Sequence, residues 1–244
     1  IDNRGDELDE LSRHTNEMVS RVTNLVNAHK DISDHTAHEL RTPLMHLDNR
    51  LVSALHDIPE PDQKIGLIKA RADIKNIISL LDSLLDIASS NAKKGDRAGL
   101  SEISLSEIAR DMADLYSESA EELEIAFEHA IAPDVTMIGE ASHIQRIISN
   151  LLDNAFKYSP KGSSVSLLVQ PGPLIRVRDN GPGVPENMRE KIFNRFTRLK
   201  STNASGHGLG LALSKALAAR NGLIIRCHDA DPGAIFEVTM DRDI

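Results

Sequence analysis

The segment ASHIQRIISNLLDNAFKY, residues 141–158, carries an apolar face and a polar face, both at helical spacing. Its apolar side chains recur every three or four residues and are Ile144, Ile147, Ile148, Leu151, Leu152 and Ala155. Asn150, Asn154 and Lys157, at i, i+4 and i+7, share another side of the same helix. An amide oxygen is a hard ligand that suits Mg²⁺, and a lysine ammonium can meet a phosphate. The polar side therefore favours a ligand site, and a solvated helix face is the alternative that the spacing leaves open.

Short strand-like runs and helices surround this segment. The pattern predicts helices at residues 106–123 and 214–220, the first capped by Ser104 or Ser106. It predicts strands at residues 124–129, 135–138, 164–169, 174–178, 223–228 and 234–240. Mixed helices and strands without an internal repeat predict an α+β sandwich of one sheet and one helical layer, over residues 101–244.

A polar linker, residues 93–100, separates this domain from a helical hairpin at residues 29–92. One helix carries a leucine at almost every turn, namely Leu40, Leu44, Leu47, Leu51 and Leu55, and Pro43 is expected to kink it. A loop at residues 56–62 with two prolines precedes a second helix from about residue 63 to residue 90. Two such hairpins would form a four-helix bundle, which predicts a homodimer.

Residues 1–28 are predicted to form a coiled coil that leads into the hairpin. The a and d positions of a heptad pattern, spaced alternately by three and four residues, extend to residue 32. They are Leu8, Leu11, Thr15, Met18, Val22, Leu25, His29 and Ile32. A stripe this narrow suits a partner helix better than a globular core, and a second copy of the chain is the simplest partner.

The composition excludes several classes of protein. The 244 residues include 28 Lys plus Arg and 37 Asp plus Glu, which gives a net charge of −9. This acidic balance and the scarcity of aromatic residues argue against nucleic-acid binding. The single cysteine, Cys227, excludes a disulfide framework and a thiolate zinc site, and it fits a reducing compartment. The sequence contains no apolar stretch of about 18 residues and no signal peptide, but it begins with Ile1 rather than Met, so we expect it to be part of a longer protein.

The segment HELRTPL, residues 38–44, is the first candidate for chemistry. His38 and Glu39 lie about 100° apart on a helix, and Thr42 follows one turn after His38. An imidazole is a nucleophile near neutral pH, and an adjacent carboxylate can accept the proton that the ring loses. A solvated helix face is one alternative. A metal site with His35 is another, although Thr42 stands where the metalloprotease pattern needs its second histidine.

This segment resembles the H-box of bacterial two-component sensor histidine kinases. The resemblance implies that His38 accepts a phosphoryl group, that Glu39 accepts its proton, and that Thr42 orients the water that dephosphorylates a partner protein. Ala37 replaces a serine, and Ile32 an aromatic residue, that are common in the family. Neither difference concerns a reacting group.

Two glycine-rich segments follow the helix at residues 141–158. DNGPG, residues 179–183, places Asp179 at the end of a predicted strand, where its carboxylate can accept a hydrogen bond from an adenine amine. GHGLGL, residues 206–211, opens a predicted helix whose first N–H groups can face phosphates. An Asx turn is the alternative for the first segment. The second lacks the spacing and the preceding strand of a dinucleotide site, which argues against NAD.

These segments resemble the N-box, G1 box and G2 box of the same kinase family, in that order along the chain. The resemblance implies an ATP site with Mg²⁺ coordinated by Asn154. The ATP-binding residues that it implies are Asn150, Asn154, Lys157, Tyr158, Asp179, Gly181, Gly183, Gly206, Gly208, Leu209 and Gly210. Residues 193–196 resemble the F-box, and residues 184–205 would form an ATP lid with Arg195, Arg198 and Lys200 as candidate phosphate contacts. Glu140 stands where many relatives have aspartate.

The resemblance covers nearly the whole chain and implies the cytoplasmic portion of a sensor histidine kinase. Residues 6–11 are similar to the end of a HAMP signal-transfer module, which implies a membrane anchor before residue 1. The implied partners are a second subunit and a response regulator. Two alternatives remain: an ATPase of the gyrase, Hsp90 and MutL type that uses ATP as a conformational clamp, and a non-catalytic dimeric scaffold.

Overall fold

The computed structural model describes residues 42–55, 61–92, 98–199 and 207–241. The chain divides into two compact units, Ile1–Ala92 and Lys93–Ile244. The predicted coiled coil, His38, Glu39 and Gly206 all lie outside the described residues. The finer division at residues 28 and 100 stays a prediction.

The described residues of the first unit form two helices, α1 at residues 42–55 and α2 at Pro61–Ala92. Arg71 Nε donates a hydrogen bond of 2.9 Å to Asp48 Oδ1, so the two helices lie side by side. Helix α2 begins at Pro61, inside the loop expected for residues 56–62. The reason is that proline suits the first position of a helix, where its missing N–H is not needed. Because α1 is described only from residue 42, the kink expected at Pro43 stays a prediction.

The second unit contains seven strands and three helices among its described residues. The helices are α3 (Leu105–Glu122), α4 (Ala141–Tyr158) and α5 (Gly210–Arg220). The strands are β1 (Ser101–Ser104), β2 (Ala126–Ile131), β3 (Thr136–Gly139), β4 (Ser164–Gln170), β5 (Leu174–Arg178), β6 (Leu223–Asp229) and β7 (Ala234–Met240). Five strands form one sheet in the order β2-β4-β5-β7-β6, with β2 parallel to β4 and the other pairs antiparallel.

The core of this unit lies between the three helices and the inner face of the five-stranded sheet. Its largest fully buried side chains are Leu105, Ile144, Ile147, Ile148, Leu151, Leu152, Leu167, Ile175, Leu213, Leu223, Val165 and Val169. All the isoleucines and leucines that the sequence predicts for the apolar face of α4 are among them, because the i, i+3, i+4 repeat turns them to one side of the helix. The α+β sandwich that the sequence predicts is therefore present.

Three details differ from the sequence prediction. A second, two-stranded sheet pairs β1 with β3, whereas one sheet was expected. Strand β2 begins two residues later than predicted because the end of α3 continues into a turn, in which Ile125 N donates to Ala120 O and Glu124 has a φ of 57°. Helix α5 begins at Gly210 rather than residue 214, because Leu213 N already donates to Leu209 O.

Candidate nucleotide site

The polar side of α4 faces the start of α5. Asn150 Nδ2 lies 3.3 Å from the carbonyl oxygen of Gly210 and 3.3 Å from Ser214 Oγ, and it donates to both. Leu209, the residue before α5, has a side chain that cannot accept a hydrogen bond, so among the described residues no side chain caps the first N–H groups of the helix. The start of a helix without a side-chain cap suits an anionic ligand. Thus α4 presents amides and an ammonium beside a helix end that suits phosphate.

Asp179 lies at the end of β5 and is only 5% exposed. Its Oδ1 accepts hydrogen bonds from the backbone N–H of Gly181, at 2.8 Å, and of Ala234, at 3.1 Å. Its own N–H donates to the carbonyl oxygen of Ala234 at 3.0 Å. Strand β7 thereby holds the aspartate in place. One carboxylate oxygen is engaged by two donors, and the other remains suited to accept from a ligand such as an adenine amine.

Burial raises the pKa of Asp179 above its ordinary value, and the hydrogen bonds from Gly181 and Ala234 oppose this rise only in part. A charged carboxylate is costly to bury, so this position is poorly chosen for stability alone. Carboxylates with perturbed pKa values are often found at functional sites. The electrostatics of Asp179 therefore favour a binding role over a purely structural turn.

The glycines of the G1-like segment lie where a side chain would collide with backbone. A Cβ on Gly181 would lie 2.9 Å from the carbonyl oxygen of Tyr158, so the end of α4 and this loop are in close contact. Gly183 has a φ of 71°, and a Cβ there would lie 2.9 Å from the carbonyl oxygen of Gly233. A Cβ on Gly233 would in turn overlap the carbonyl oxygen of Asp179. The loop after β5 is thus packed directly on α4 and on the turn before β7.

Gly208 joins the start of α5 to the predicted lid. Its carbonyl oxygen accepts a hydrogen bond of 2.9 Å from Phe196 N, and its φ is 69°. A Cβ on Gly208 would lie 2.9 Å from both the carbonyl carbon of Phe196 and the carbonyl oxygen of Thr197. Glycine is therefore required here by a close backbone approach as well as by its left-handed conformation.

The first half of the predicted lid is part of the packed domain. Arg189 Nε donates to the carbonyl oxygen of Val184 at 3.1 Å, and Arg189 Nη2 lies 3.4 Å from Asp229 Oδ1. Ile192 and Phe193 are buried, and the ring of Phe193 contacts that of Phe236 edge-on, with 6.4 Å between ring centres. Two short 3₁₀ turns, Glu186–Met188 and Lys191–Phe193, form this half.

The structure brings together most of the residues that the sequence singles out for nucleotide binding. Asn150 and Gly210 converge, as do Tyr158, Asp179 and Gly181. Asn154 is half-buried on the same side of α4 as Asn150, one turn closer to Tyr158. Lys157 Nζ lies 5.1 Å from the centre of the Tyr158 ring. Thr42 is exposed on α1, in the other unit, while His38, Glu39 and Gly206 lie beyond the described ranges.

Four residues at or beside this site do not belong to any of the sequence motifs and were not predicted. Ser214, Gly233 and Ala234 contact Asn150 or Asp179, and Tyr116 of α3 contacts α4 next to its polar side. The Asp-Pro-Gly turn at residues 231–233 could have indicated a sharp bend before β7. Nothing local to the sequence indicates that this turn packs on Asp179.

The chemistry of these groups fits a magnesium nucleotide. Amide oxygens suit Mg²⁺, which usually keeps several waters and takes phosphate oxygens as further ligands. The carboxylate of Asp179 suits an adenine amine, and the ammonium of Lys157 and the start of α5 suit phosphates. Within the described ranges, no helix is long and apolar enough to cross a bilayer.

Comparison with known proteins agrees with this geometry. Residues 139–244 match the family described as histidine kinase-, DNA gyrase B-, and HSP90-like ATPase. The chain is 31% identical over 242 residues to the sensor histidine kinase TmoS of Ectopseudomonas mendocina, covering 92% of this chain and 24% of TmoS. It is 30% identical over 246 residues to the signal transduction histidine-protein kinase/phosphatase MprB of Mycolicibacterium paratuberculosis, covering 93% of this chain and 45% of MprB.

A solved structure of full-length ShkA in complex with AMPPNP is similar to this chain with a TM-score of 0.73. The match covers 85% of this chain and 45% of ShkA at 26% identity. The chain thus spans between a quarter and a half of the length of these relatives. The family match and this structural likeness confirm the α/β ATP-binding fold predicted for the second unit.

Proposed function

We propose that the chain belongs to the two-component sensor histidine kinases, and that it transfers the γ-phosphoryl group of ATP to His38 and then to an aspartate of a response regulator. One observation carries the ATP-binding half of this proposal. The polar side of α4 contacts the start of α5 through Asn150, and about 12 Å further along the helix its end packs on the loop that begins at the buried Asp179. Adenine, phosphate and magnesium each find a group of suitable chemistry there.

In the nucleotide site, Asp179 accepts a hydrogen bond from the adenine amine. Lys157 and the N–H groups at the start of α5 contact phosphate oxygens, together with backbone of Gly206, Gly208 and Leu209. Asn150 aligns α4 with α5 through Gly210 and Ser214. When bound, Mg²⁺ neutralises charge on the phosphates, and Asn154 is the residue that would hold it. Phosphoryl transfer depends mainly on such positioning and charge neutralisation.

At the hairpin, one imidazole nitrogen of His38 attacks the γ-phosphorus, and the bond to the bridging oxygen of ADP breaks. Glu39 accepts the proton from the other ring nitrogen, which keeps the phosphorylated ring neutral. The phosphoryl group then passes to a carboxylate of the response regulator. For phosphatase activity, Thr42 orients a water that attacks the phosphorus of the regulator's aspartyl phosphate, which breaks the bond to the carboxylate and releases inorganic phosphate; this proposal agrees with the name kinase/phosphatase that MprB carries.

The hairpin acts as a homodimer, because two helices alone leave many aliphatic side chains exposed. In the full-length protein, this chain would be the cytoplasmic portion of a kinase anchored in the bacterial inner membrane before residue 1. A coiled coil at residues 1–28, at the end of a HAMP module, would carry the signal into the hairpin.

Autophosphorylation tests the proposal directly. We expect the chain, incubated with Mg²⁺ and ATP labelled at the γ-phosphate, to gain acid-labile, base-stable label. His38→Ala should abolish the labelling while the chain still binds ATP. His46→Ala, which alters an exposed histidine of the same helix region, is the matched control and should label normally. An unchanged labelling rate in His38→Ala would contradict the proposal, and ATP hydrolysis without any protein label would favour the clamp ATPase.

A further inference from the structure

Tyr116 of α3 contacts the neighbouring helix α4 at three points. Its hydroxyl donates to Asp153 Oδ1 at 2.6 Å and lies 3.4 Å from the carbonyl oxygen of Ser149, so the two acceptors share its one proton. Its ring stacks on Phe156 with 5.8 Å between ring centres and 8° between ring planes. One side chain thus contacts α4 over two turns.

Each of these three contacts lies one residue before a proposed nucleotide ligand. Ser149 precedes Asn150, Asp153 precedes Asn154, and Phe156 precedes Lys157. Consecutive residues of a helix lie about 100° apart around its axis. Tyr116 therefore contacts one row of residues on α4, and the adjacent row, here called the ligand strip, contains Asn150, Asn154 and Lys157.

Polar contacts add to the apolar face in fixing the rotation of α4, and near its start Asn221 Nδ2 lies 3.2 Å from His143 Nδ1. The buried face of α4 consists of aliphatic side chains and Phe156, and apolar burial is non-directional. Within the ligand strip itself, Asn150 bonds to the start of α5. A rotation of about 20° would move side-chain ends by about 2 Å at the outer radius of a helix, about 5–6 Å. A shift of that size exceeds the range of heavy-atom distances over which a hydrogen bond forms, about 2.7–3.2 Å, and would therefore weaken nucleotide binding.

The hydroxyl of Tyr116 is a dependable donor at neutral pH. Burial raises the pKa of Tyr116 above its ordinary value, and the carboxylate of Asp153 raises it further. Hydrogen bonds to a charged acceptor are shorter and stronger than neutral ones, and the 2.6 Å distance to Asp153 agrees with that.

We propose that Tyr116 is a positioning residue for the nucleotide site: it helps to fix the rotation of α4 and so orients Asn154 and Lys157, the residues proposed for the magnesium and the phosphates of ATP. The inference rests on the proposed function, because it needs α4 to bind the nucleotide. It adds a residue that none of the nucleotide-binding motifs contains.

Tyr116→Phe tests it, because this substitution keeps the stack on Phe156 and removes only the hydroxyl. Calorimetric titration of the 244-residue chain with Mg²⁺ and AMPPNP should give a Kd raised by about 10-fold, the scale typical of partners that orient a ligand-binding group. The KM for ATP in autophosphorylation should rise in parallel, with a smaller change in kcat. Asp153→Asn, which keeps an oxygen acceptor, should bind AMPPNP more tightly than Asp153→Ala.

Two controls separate this inference from the proposed function and from a general loss of stability. Ser117→Ala removes the neighbouring hydroxyl of α3, which bonds to Ala113 O within its own helix, and should leave Kd unchanged. Asn154→Ala should lose binding, and normal binding by this variant would overturn both the ATP site and the role of Tyr116. If Asn154→Ala loses binding but Tyr116→Phe keeps the wild-type Kd, whether or not its Tm falls, the positioning role is overturned while the proposed function stands.

Discussion

The helical hairpin and the α/β unit differ in how completely each buries its own apolar side chains. Of the large apolar side chains that are exposed in the described residues, six belong to the much smaller hairpin: Met45, Leu47, Val52, Ile65, Ile68 and Ile77. Among the buried apolar residues of the described ranges, only Ile74 and Ile87 belong to the hairpin. The α/β unit, by contrast, has a closed core with fully buried residues on its helices and on its large sheet.

This contrast indicates different sources of stability. The α/β unit can bury its nucleotide-site residues within one chain, whereas the hairpin needs more apolar surface than it contains. Leu47 and Ile77 are informative, since each follows a half-buried or buried residue by three positions, Leu44 and Ile74 respectively, and they are nevertheless 45% and 51% exposed. We therefore expect the second subunit to cover this edge of the hairpin, and we expect substitutions to act on one unit without affecting the other.

The largest effect is expected from Ile77→Glu. A dimer interface with two-fold symmetry would contain the substitution twice, and burying an unpaired carboxylate at about 2 kcal/mol each would weaken dimerisation by about 1,000-fold. Analytical ultracentrifugation should show monomers at concentrations where the wild type is dimeric. AMPPNP binding by the α/β unit should be unchanged.

Ile65→Glu is the matched control for this experiment. Ile65 and Ile77 are both 51% exposed. Ile65 precedes the buried Ile74 by nine residues, and this spacing places it on the opposite side of α2 from Ile74. It should stay dimeric. If both variants dissociate equally, the dimer interface does not depend on the side of α2 that carries Ile74 and Ile77, and a different surface of the hairpin is covered.

Asp179→Asn should separate binding from stability within the α/β unit. The amide keeps an oxygen for the N–H groups of Gly181 and Ala234 but presents an NH₂ to the adenine amine. With two donors facing each other, AMPPNP affinity measured by calorimetry should fall by about 100-fold. Dimerisation through the hairpin should be unaffected.

The same variant should be as stable as the wild type or more stable at pH 7. Because burial raises the pKa of Asp179, the folded state favours the protonated carboxyl, which therefore contributes to the stability of the wild type at low pH. That contribution to stability is lost as the pH rises through the folded-state pKa. The stability advantage of Asp179→Asn should therefore shrink as the pH falls towards about 4, the ordinary pKa of aspartate. Urea unfolding at about pH 4 and pH 7 measures it, and a large loss of stability at pH 7 would contradict this account.

Thr42→Ala should act on the hairpin alone. We expect phosphatase activity towards a response-regulator receiver domain, phosphorylated beforehand by this chain, to fall by about 10-fold, because a water-orienting hydroxyl is lost. Autophosphorylation should stay within about twofold of the wild type. Thr42→Ser retains the hydroxyl and should recover most of the phosphatase activity. Parallel loss of both activities would contradict a separate role for Thr42.

The sequence predicted the elements whose patterns are long or strictly alternating. Helix α4 runs from Ala141 to Tyr158 as expected, and β5 and β7 also match to the residue. Strand β1 was missed because four residues, SEIS, carry too little apolar pattern. The start of α5 was placed late because glycine has a low helix propensity, although the segment was expected to open that helix.

The site was predictable where its residues stand together in the sequence. Asn150, Asn154 and Lys157 form one helical strip, and Asp179 and its glycines form one loop. Ala234 contacts Asp179 from 55 residues away, and Tyr116 contacts Asp153 from 37 residues away. Such contacts depend on the order of strands and helices in space, which local patterns do not encode. The supporting residues of the site were therefore the part that required the structure.

The smallest of these effects is a change in stability at alkaline pH, expected from Tyr116→Phe. Because burial and Asp153 raise the folded-state pKa of Tyr116, the folded state keeps its proton where the unfolded state loses it. This contribution is complete below about pH 10, the ordinary pKa of tyrosine, and is lost as the pH rises towards the folded-state value. Between about pH 9 and pH 11 the urea midpoint of the wild type should therefore fall more than that of Tyr116→Phe, by on the order of 0.3 M.

Dimerisation at each pH is the second measurement on this pair of proteins. Since Tyr116 belongs to the α/β unit, association through the hairpin should be the same for the wild type and for Tyr116→Phe. Identical pH dependence of unfolding in the two proteins would show that the Tyr116 proton is not held by Asp153. A parallel loss of dimer would show that the two units are not as independent as their different cores indicate.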